Sequence, residues 1–167
     1  MSIRAATPAD ARGIAGTHVA AWKIGYRELL PQAVLDAQSI EEREATWLGF
    51  LTDDANDVRT LVAEDSGDIT GFISIIGVAR DEDARPGTAE IPALYVHPLR
   101  WRNGIGLELM LVALSALRAA DVIDVTLWVI EDNERARAFY ARCGFTPDGA
   151  RKRNQFGVTE VRLRLSL

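Results

Sequence analysis

Apolar residues recur with two different periods along this chain, and the switches between them outline its elements. Ala11, Ile14, Ala15, His18 and Trp22 repeat at the spacing of one helix face. Thr7-Pro8-Ala9-Asp10 just before them reads as a helix start. Thr7 can cap, Pro8 is tolerated at the first helical position, and Asp10 suits the positive end. A short strand is expected over residues 3–5 and a second helix over about 40–51, ended by the acidic stretch 52–57. Strands are expected over 60–64 and 69–78, joined by a hairpin turn at Asp65-Ser66-Gly67-Asp68.

A charged loop follows over residues 80–87, then a strand over 90–96. Leu107, Met110, Leu111, Leu114 and Leu117 form one helical stripe after Gly104. Residues 122–129 are an apolar run, as in a strand buried on both faces. Ala136, Phe139, Tyr140 and Cys143 mark a further helix closed by Gly144. In the last strand Val161, Leu163 and Leu165 alternate with Glu160, Arg162 and Arg164. This order predicts an α/β chain: a mixed sheet with helices on both faces, in one domain over residues 1–167.

Charge and cysteine usage narrow the class. A net charge of -5 lacks the basic footprint of nucleic-acid binding and mildly suits a cationic substrate. Cys143 is the one cysteine, so no intrachain disulfide can form. The first ten residues show no secretory pattern, and no apolar run reaches the length of a membrane span. The expectation is a cytoplasmic protein with no membrane partner. Two histidines and one cysteine, widely spaced, give no metal-binding pattern.

The chemistry concentrates in Leu94-Tyr95-Val96-His97-Pro98-Leu99-Arg100-Trp101-Arg102-Asn103-Gly104-Ile105-Gly106. A strand turns sharply at Pro98 into a basic, glycine-bearing loop that opens a helix. Unpaired N–H groups at a helix start, reached closely through glycines, make an anion site that suits phosphate. No Gly-Lys-Ser/Thr follows, which excludes a Walker loop, and no third glycine completes a dinucleotide fingerprint.

With Asn133, Ala136, Phe139-Tyr140 and Gly144-Phe145 downstream, the sequence resembles the GNAT superfamily of N-acetyltransferases. Ala21-Trp22, Tyr26-Arg27 and Leu29-Leu30-Pro31 look like a common bacterial branch of it. The resemblance implies a mostly antiparallel mixed sheet whose central strands splay apart to admit acetyl-CoA. It departs from the usual Arg/Gln-x-x-Gly-x-Gly/Ala by carrying Trp101 in the Arg/Gln place.

By that resemblance the cofactor is held by Leu94, Tyr95 and Val96, by Arg100 to Gly106, and by Asn133, Arg137 and Tyr140. Val96 pairs through its backbone with the pantetheine arm. The amides of Arg102, Asn103, Gly104, Ile105 and Gly106 hold the pyrophosphate. Asn133 either bonds the pantetheine or fixes the strand-to-helix turn. Pro92 is unusual in a central strand and is expected to mark a bulge at or near the splay.

The reaction needs a base, because an alkyl amine is mostly protonated at neutral pH. Glu90 is the candidate base, against a carboxylate on the solvent face or strand end; Glu131 and Asp132 are lesser candidates, since acids near a helix start often serve as caps. Tyr140 is the candidate acid for the leaving thiolate, against a core aromatic. Trp22 and Tyr26 are candidates for the acceptor wall, against ordinary helix packing. The expected activity is acetyl transfer to a primary amine of a small molecule or peptide. A non-catalytic acyl-CoA sensor would keep the loop and Asn133 without needing Glu90 or Tyr140. An unrelated nucleotide-binding domain would not need the Phe139-Tyr140 and Gly144-Phe145 block. Homodimers are common among relatives, but the sequence shows no interface.

Overall fold

In the structure, a computed structural model that describes residues 1–167, the first strand β1 (Ser2–Ala5) leads into a tight turn held by Asp10. The Asp10 carboxylate accepts from the Thr7 backbone N–H at 2.7 Å, from the Thr7 hydroxyl at 2.9 Å and from the Arg4 guanidinium at 2.7 and 2.8 Å. Arg4 holds that carboxyl down at about 2. One 3-10 turn (Pro8–Asp10) then opens α1 (Ala11–Gly25). A short α2 (Gln32–Asp36), which the sequence reading lacked, precedes α3 (Ile40–Thr52).

The strands β2 (Val58–Asp65) and β3 (Asp68–Ile76) form the expected hairpin, with Ser66 and Gly67 at φ 54° and 89°. After β4 (Thr88–Val96) come α4 (Ile105–Ala119), β5 (Asp124–Ile130) and α5 (Glu134–Arg142). The chain ends in a hairpin of β6 (Thr146–Arg153) and β7 (Thr159–Ser166). The expected pattern lacked β6. Its sequence, Thr-Pro-Asp-Gly-Ala-Arg-Lys-Arg, is almost wholly exposed and carries no alternation; pairing with β7 makes it a strand.

The seven strands form one mixed sheet in the order β1-β2-β3-β4-β5-β7-β6, antiparallel throughout except for β4 beside β5. One face is covered by α1 and α3, where Ala11, Ile14, Ala15 and Trp47 pack on Val62 and Phe72. On the opposite face, α4 buries Leu109, Met110, Ala113, Leu114 and Leu117 against Ile73, Ala89, Val125 and Leu127. Burying each large side chain there contributes about 1.5–3 kcal/mol. The stripe expected for α4 holds at Met110, Leu114 and Leu117, but Leu107 and Leu111 face solvent while Ile105 and Leu109 point inward. Gly71 on β3 lets α4 close in: a Cβ there would sit 3.1 Å from both Ile105 and Leu109.

The feature that positions the site is where β4 and β5 part. They pair only through Thr88↔Asp124, Ala89↔Val125 and Glu90↔Thr126. Beyond Glu90, β4 stays with β3 as far as Val96↔Gly71, whereas β5 stays with β7 as far as Ile130↔Glu160. The β3–β4 register slips between Ser74↔Ala93 and Ile76↔Glu90, leaving an extra residue on β4 at Ile91-Pro92. The expected bulge is therefore present, and it coincides with the splay. Proline has no N–H to offer a neighbouring strand, so the ladder ends there without stranding a donor.

Candidate active site

The parting strands open a cleft of about 640 Å³. Its floor is β4 from Glu90 to Val96, and its far wall is β5 from Trp128 to Ile130 with the β6–β7 hairpin. Antiparallel strands use every second residue for each neighbour. His97 donates to Thr70 of β3 at 2.8 Å, so the backbone groups of Leu94 and Val96 point the other way, into the splay. Side chains alternate as well. Leu94 and Val96 pack on the α4 side, but Tyr95, expected beside them on the cofactor, turns to the α1 side.

At the end of β4 the chain makes a short turn and enters the glycine loop. Arg102 and Gly104 both take left-handed backbone, at φ 66° and 82°. The amides of residues 102–107 find no acceptor within the protein; the first amide of this stretch to be bonded is that of Glu108, to Gly104. These free donors, with the positive end of α4, fit a pyrophosphate. Gly104 has open space where a Cβ would stand.

Trp101 lines the cleft. Its indole N–H donates to the Val96 carbonyl at 2.7 Å, and the Arg135 guanidinium lies 3.7 Å above its ring. Arg100 is drawn aside to Asp65, 3.4 Å away. Arg137, expected on the cofactor, donates to the Glu131 carbonyl at 3.0 Å and lies outside the cleft, in a shallow depression with Phe145 and Pro147. It thus closes the β5–α5 turn instead.

Asn133 caps α5, its Oδ1 accepting from Ala136 N–H at 3.1 Å. This geometry accounts for the turn-fixing half of its expected role. About two turns further on, Tyr140 lines the cleft and its hydroxyl bonds to nothing in the protein. Burial and the nearby Tyr95 push that phenol up, so it stays protonated. Cys143 is half-buried, and burial raises its thiol too, which leaves it an unreactive packing residue.

Trp22 and Tyr26 do line the cleft, at the end of α1. The Tyr26 and Tyr95 hydroxyls share one hydrogen bond of 3.2 Å, and burial raises both phenols. Trp22 meets Tyr26 and Phe156 edge-on at 5.3 and 6.1 Å, and its buried Nε1 has no partner. His18 stacks on Tyr95 at 4.7 Å and accepts from the Trp47 indole at 3.2 Å through Nδ1. Burial, with Arg43 nearby, pushes His18 down to about 3, so it is a neutral core histidine.

Glu90 lies at the closed end of the splay with only 9% of its surface exposed. Its carboxylate is met by Arg80 alone: the backbone N–H at 3.2 Å and the guanidinium at 3.3 Å on each oxygen. Glu131 instead pairs with Arg151 at 2.6 Å on the surface. The sequence reading missed Arg80, Trp128, Arg135, Glu160 and the run from Lys152 to Phe156, all of which line the cleft. The acidity of the whole chain is not mirrored there. Arg80, Arg135, Lys152 and Arg153 face only Glu90 and Glu160.

Comparison with known proteins agrees with this geometry. A sequence model of the acetyltransferase (GNAT) family matches residues 22–145. A probable N-acetyltransferase of Mycobacterium tuberculosis is 32% identical over 88% of this chain and 80% of its own length. An uncharacterized N-acetyltransferase of Bacillus subtilis is 27% identical over 98% and 89%. Among solved structures, the PaiA N-acetyltransferase of Thermoplasma acidophilum in complex with coenzyme A superposes with a TM-score of 0.75, at 20% identity, covering 97% of this chain and 98% of that one. The chain belongs to the GNAT family of acetyltransferases.

Proposed function

We propose that this protein uses the splay between β4 and β5 to carry an acetyl group from acetyl-CoA to a primary amine, by direct attack within a ternary complex. The observation that carries the reading is that the unbonded hydroxyl of Tyr140 and the buried carboxylate of Glu90 line one cleft. The strand that floors it, β4, runs on through Trp101 into the loop whose amides at 102–107 are free. The similar Thermoplasma structure, a coenzyme A complex, supports the choice of donor.

In this reading the loop amides hold the pyrophosphate. The backbone groups of Leu94 and the N–H of Val96, whose carbonyl is taken by Trp101, pair with the pantetheine arm as a neighbouring strand would. Asn133 sets the turn that brings Tyr140 over the thioester. Arg100 and Arg137 have other partners and are left out of the cofactor set. Trp22, Tyr26 and Tyr95 form the acceptor wall, joined by Phe156 from the β6–β7 hairpin.

The proton balance follows. Glu90, directly or through water, takes the proton from the amine nitrogen as it bonds to the acetyl carbon. Strand N–H groups stabilise the oxyanion. When the carbon–sulfur bond breaks, the sulfur takes the Tyr140 proton, leaving the amide and free coenzyme A; the proton on Glu90 then returns through water to the Tyr140 oxygen, restoring both groups. The aromatic wall suits an alkyl amine of a small molecule or peptide. No helix of the chain is long and apolar enough to cross a membrane, and work in the cytoplasm fits this reading.

The test is a calorimetric titration with acetyl-CoA, followed by a screen of amines for release of free thiol. One-site binding and thiol release with at least one amine are expected. No binding at millimolar acetyl-CoA would overturn the reading.

A further inference from the structure

The charged loop between β3 and β4 is held by an ion cluster, built on the buried Arg162, that acetyl transfer does not itself require. Arg162 of β7 is only 5% exposed, and each of its guanidinium nitrogens is engaged. It donates to Asp83 at 2.6 and 2.7 Å and to Asp148 at 2.7 Å, and lies 3.3 Å from Asp81. Asp81 is fixed a second time by the Trp128 indole N–H at 3.0 Å. The base of the loop is closed by Ala79 N–H to Thr88 at 2.8 Å. Burying the Arg162 guanidinium, with Asp81 and Asp148 largely covered beside it, is costly and rarely stabilises a fold over apolar packing. What the cluster does fix is the place of Asp81, and hence of its chain neighbour Arg80.

We infer that Arg80 is a positioning residue for Glu90, and that the Arg162 cluster exists to hold it in place. The inference rests on the reading of Glu90 as the base. Oε2 of Glu90 accepts from both the backbone N–H and Nε of Arg80, while Oε1 accepts only from Nη2. Oε1 therefore keeps the free lone pair and is the oxygen that takes the proton. The hold matters because Glu90 is the last residue of β4 to pair with β5 and immediately precedes the bulge, so the backbone beyond it steadies it less. A base displaced by an ångström costs up to about a hundredfold in rate.

The experiment uses the full chain and an amine shown to be acetylated. Arg80→Met is expected to lower kcat about ten- to a hundredfold while the Kd for acetyl-CoA stays unchanged. Arg80→Lys, which keeps the charge but not the fork, restores part of that loss. In a Glu90→Gln background, Arg80→Met costs less than about threefold, because the group it positions is gone. Asp83→Asn, at an exposed site that leaves Arg80 intact, lowers kcat in the same direction by loosening the clamp. An unchanged kcat in Arg80→Met, or an equal loss with and without Glu90, would overturn the inference while leaving Glu90 as the base. A fully active Glu90→Gln protein would instead remove the base, and the inference with it.

Discussion

The indole N–H of Trp101 donates to the backbone carbonyl of Val96 at 2.7 Å, tying the start of the phosphate loop to the strand it leaves. The residue at the place where the family usually carries Arg or Gln thus braces the loop from the cleft side. Trp101→Phe keeps a ring beneath Arg135 but loses the bond, worth about 1 kcal/mol. The Kd for acetyl-CoA is expected to rise about three- to tenfold by calorimetry. An unchanged Kd would show that the bond does not set the loop.

Gly104 sits at φ 82°, in backbone that only glycine adopts freely, beside the unpaired amides. Gly104→Asp adds strain and a negative charge where the pyrophosphate is placed. Binding of acetyl-CoA is expected to vanish from the titration while the melting temperature stays within a few degrees. Parental affinity would move the phosphate site elsewhere.

Tyr140→Phe removes one oxygen and keeps the ring packed between Phe139 and Phe145, at 5.4 and 6.0 Å. Cofactor affinity is expected to hold, and kcat to fall by about a hundredfold. A rate equal to the parent's would reduce Tyr140 to a packing residue.

For Glu90→Gln the deficit is expected to shrink as pH rises, since more of the amine is then free without help from a base. A rate profile from pH 6 to 10 checks this. A deficit of constant size would assign Glu90 to substrate binding or structure.

The fold carries its own acid sensitivity at His18. Its folded value of about 3 lies below the ordinary 6.5, so between these values the unfolded chain binds a proton that the native one refuses. Stability that is complete above pH 6.5 is therefore lost as pH falls toward 3, by on the order of a few kcal/mol. Asp10, depressed from 3.8 to about 2, adds its own loss as pH falls through 3.8 toward 2, overlapping only the acid end of that range. Urea melts of the parent and of His18→Gln between pH 4 and 7 separate the two. A parent whose stability is flat across that window would contradict the assignment.

The sequence was most readable where burial forces a period. The alternation of Val161, Leu163 and Leu165 placed β7, and Pro92 announced the bulge because a central strand has no other use for it. It was least readable where pairing, not pattern, makes the element, as in β6. In α4, leucines run nearly all round the helix, so Leu107 and Leu111 gave a false inner face. In the site, glycines and Asn133 stood out because backbone geometry restricts what can replace them. Arg80 and Asp81 looked like any solvated loop charges, since their partners Glu90, Trp128 and Arg162 are distant in sequence. Arg137, placed with the cofactor by resemblance, bonds back to the Glu131 carbonyl, a partner that its sequence position does not reveal.

The three residue pairs joining β4 to β5 make the sheet two half-sheets sharing a short seam. Past the seam, each half keeps its own outer neighbours and lacks an inner one. A bound pantetheine would complete the missing row of hydrogen bonds and act as a mortar line between the halves. Occupancy of the cleft is then also a mechanical state of the whole sheet, in which the donor joins the fold and leaves it once per turnover.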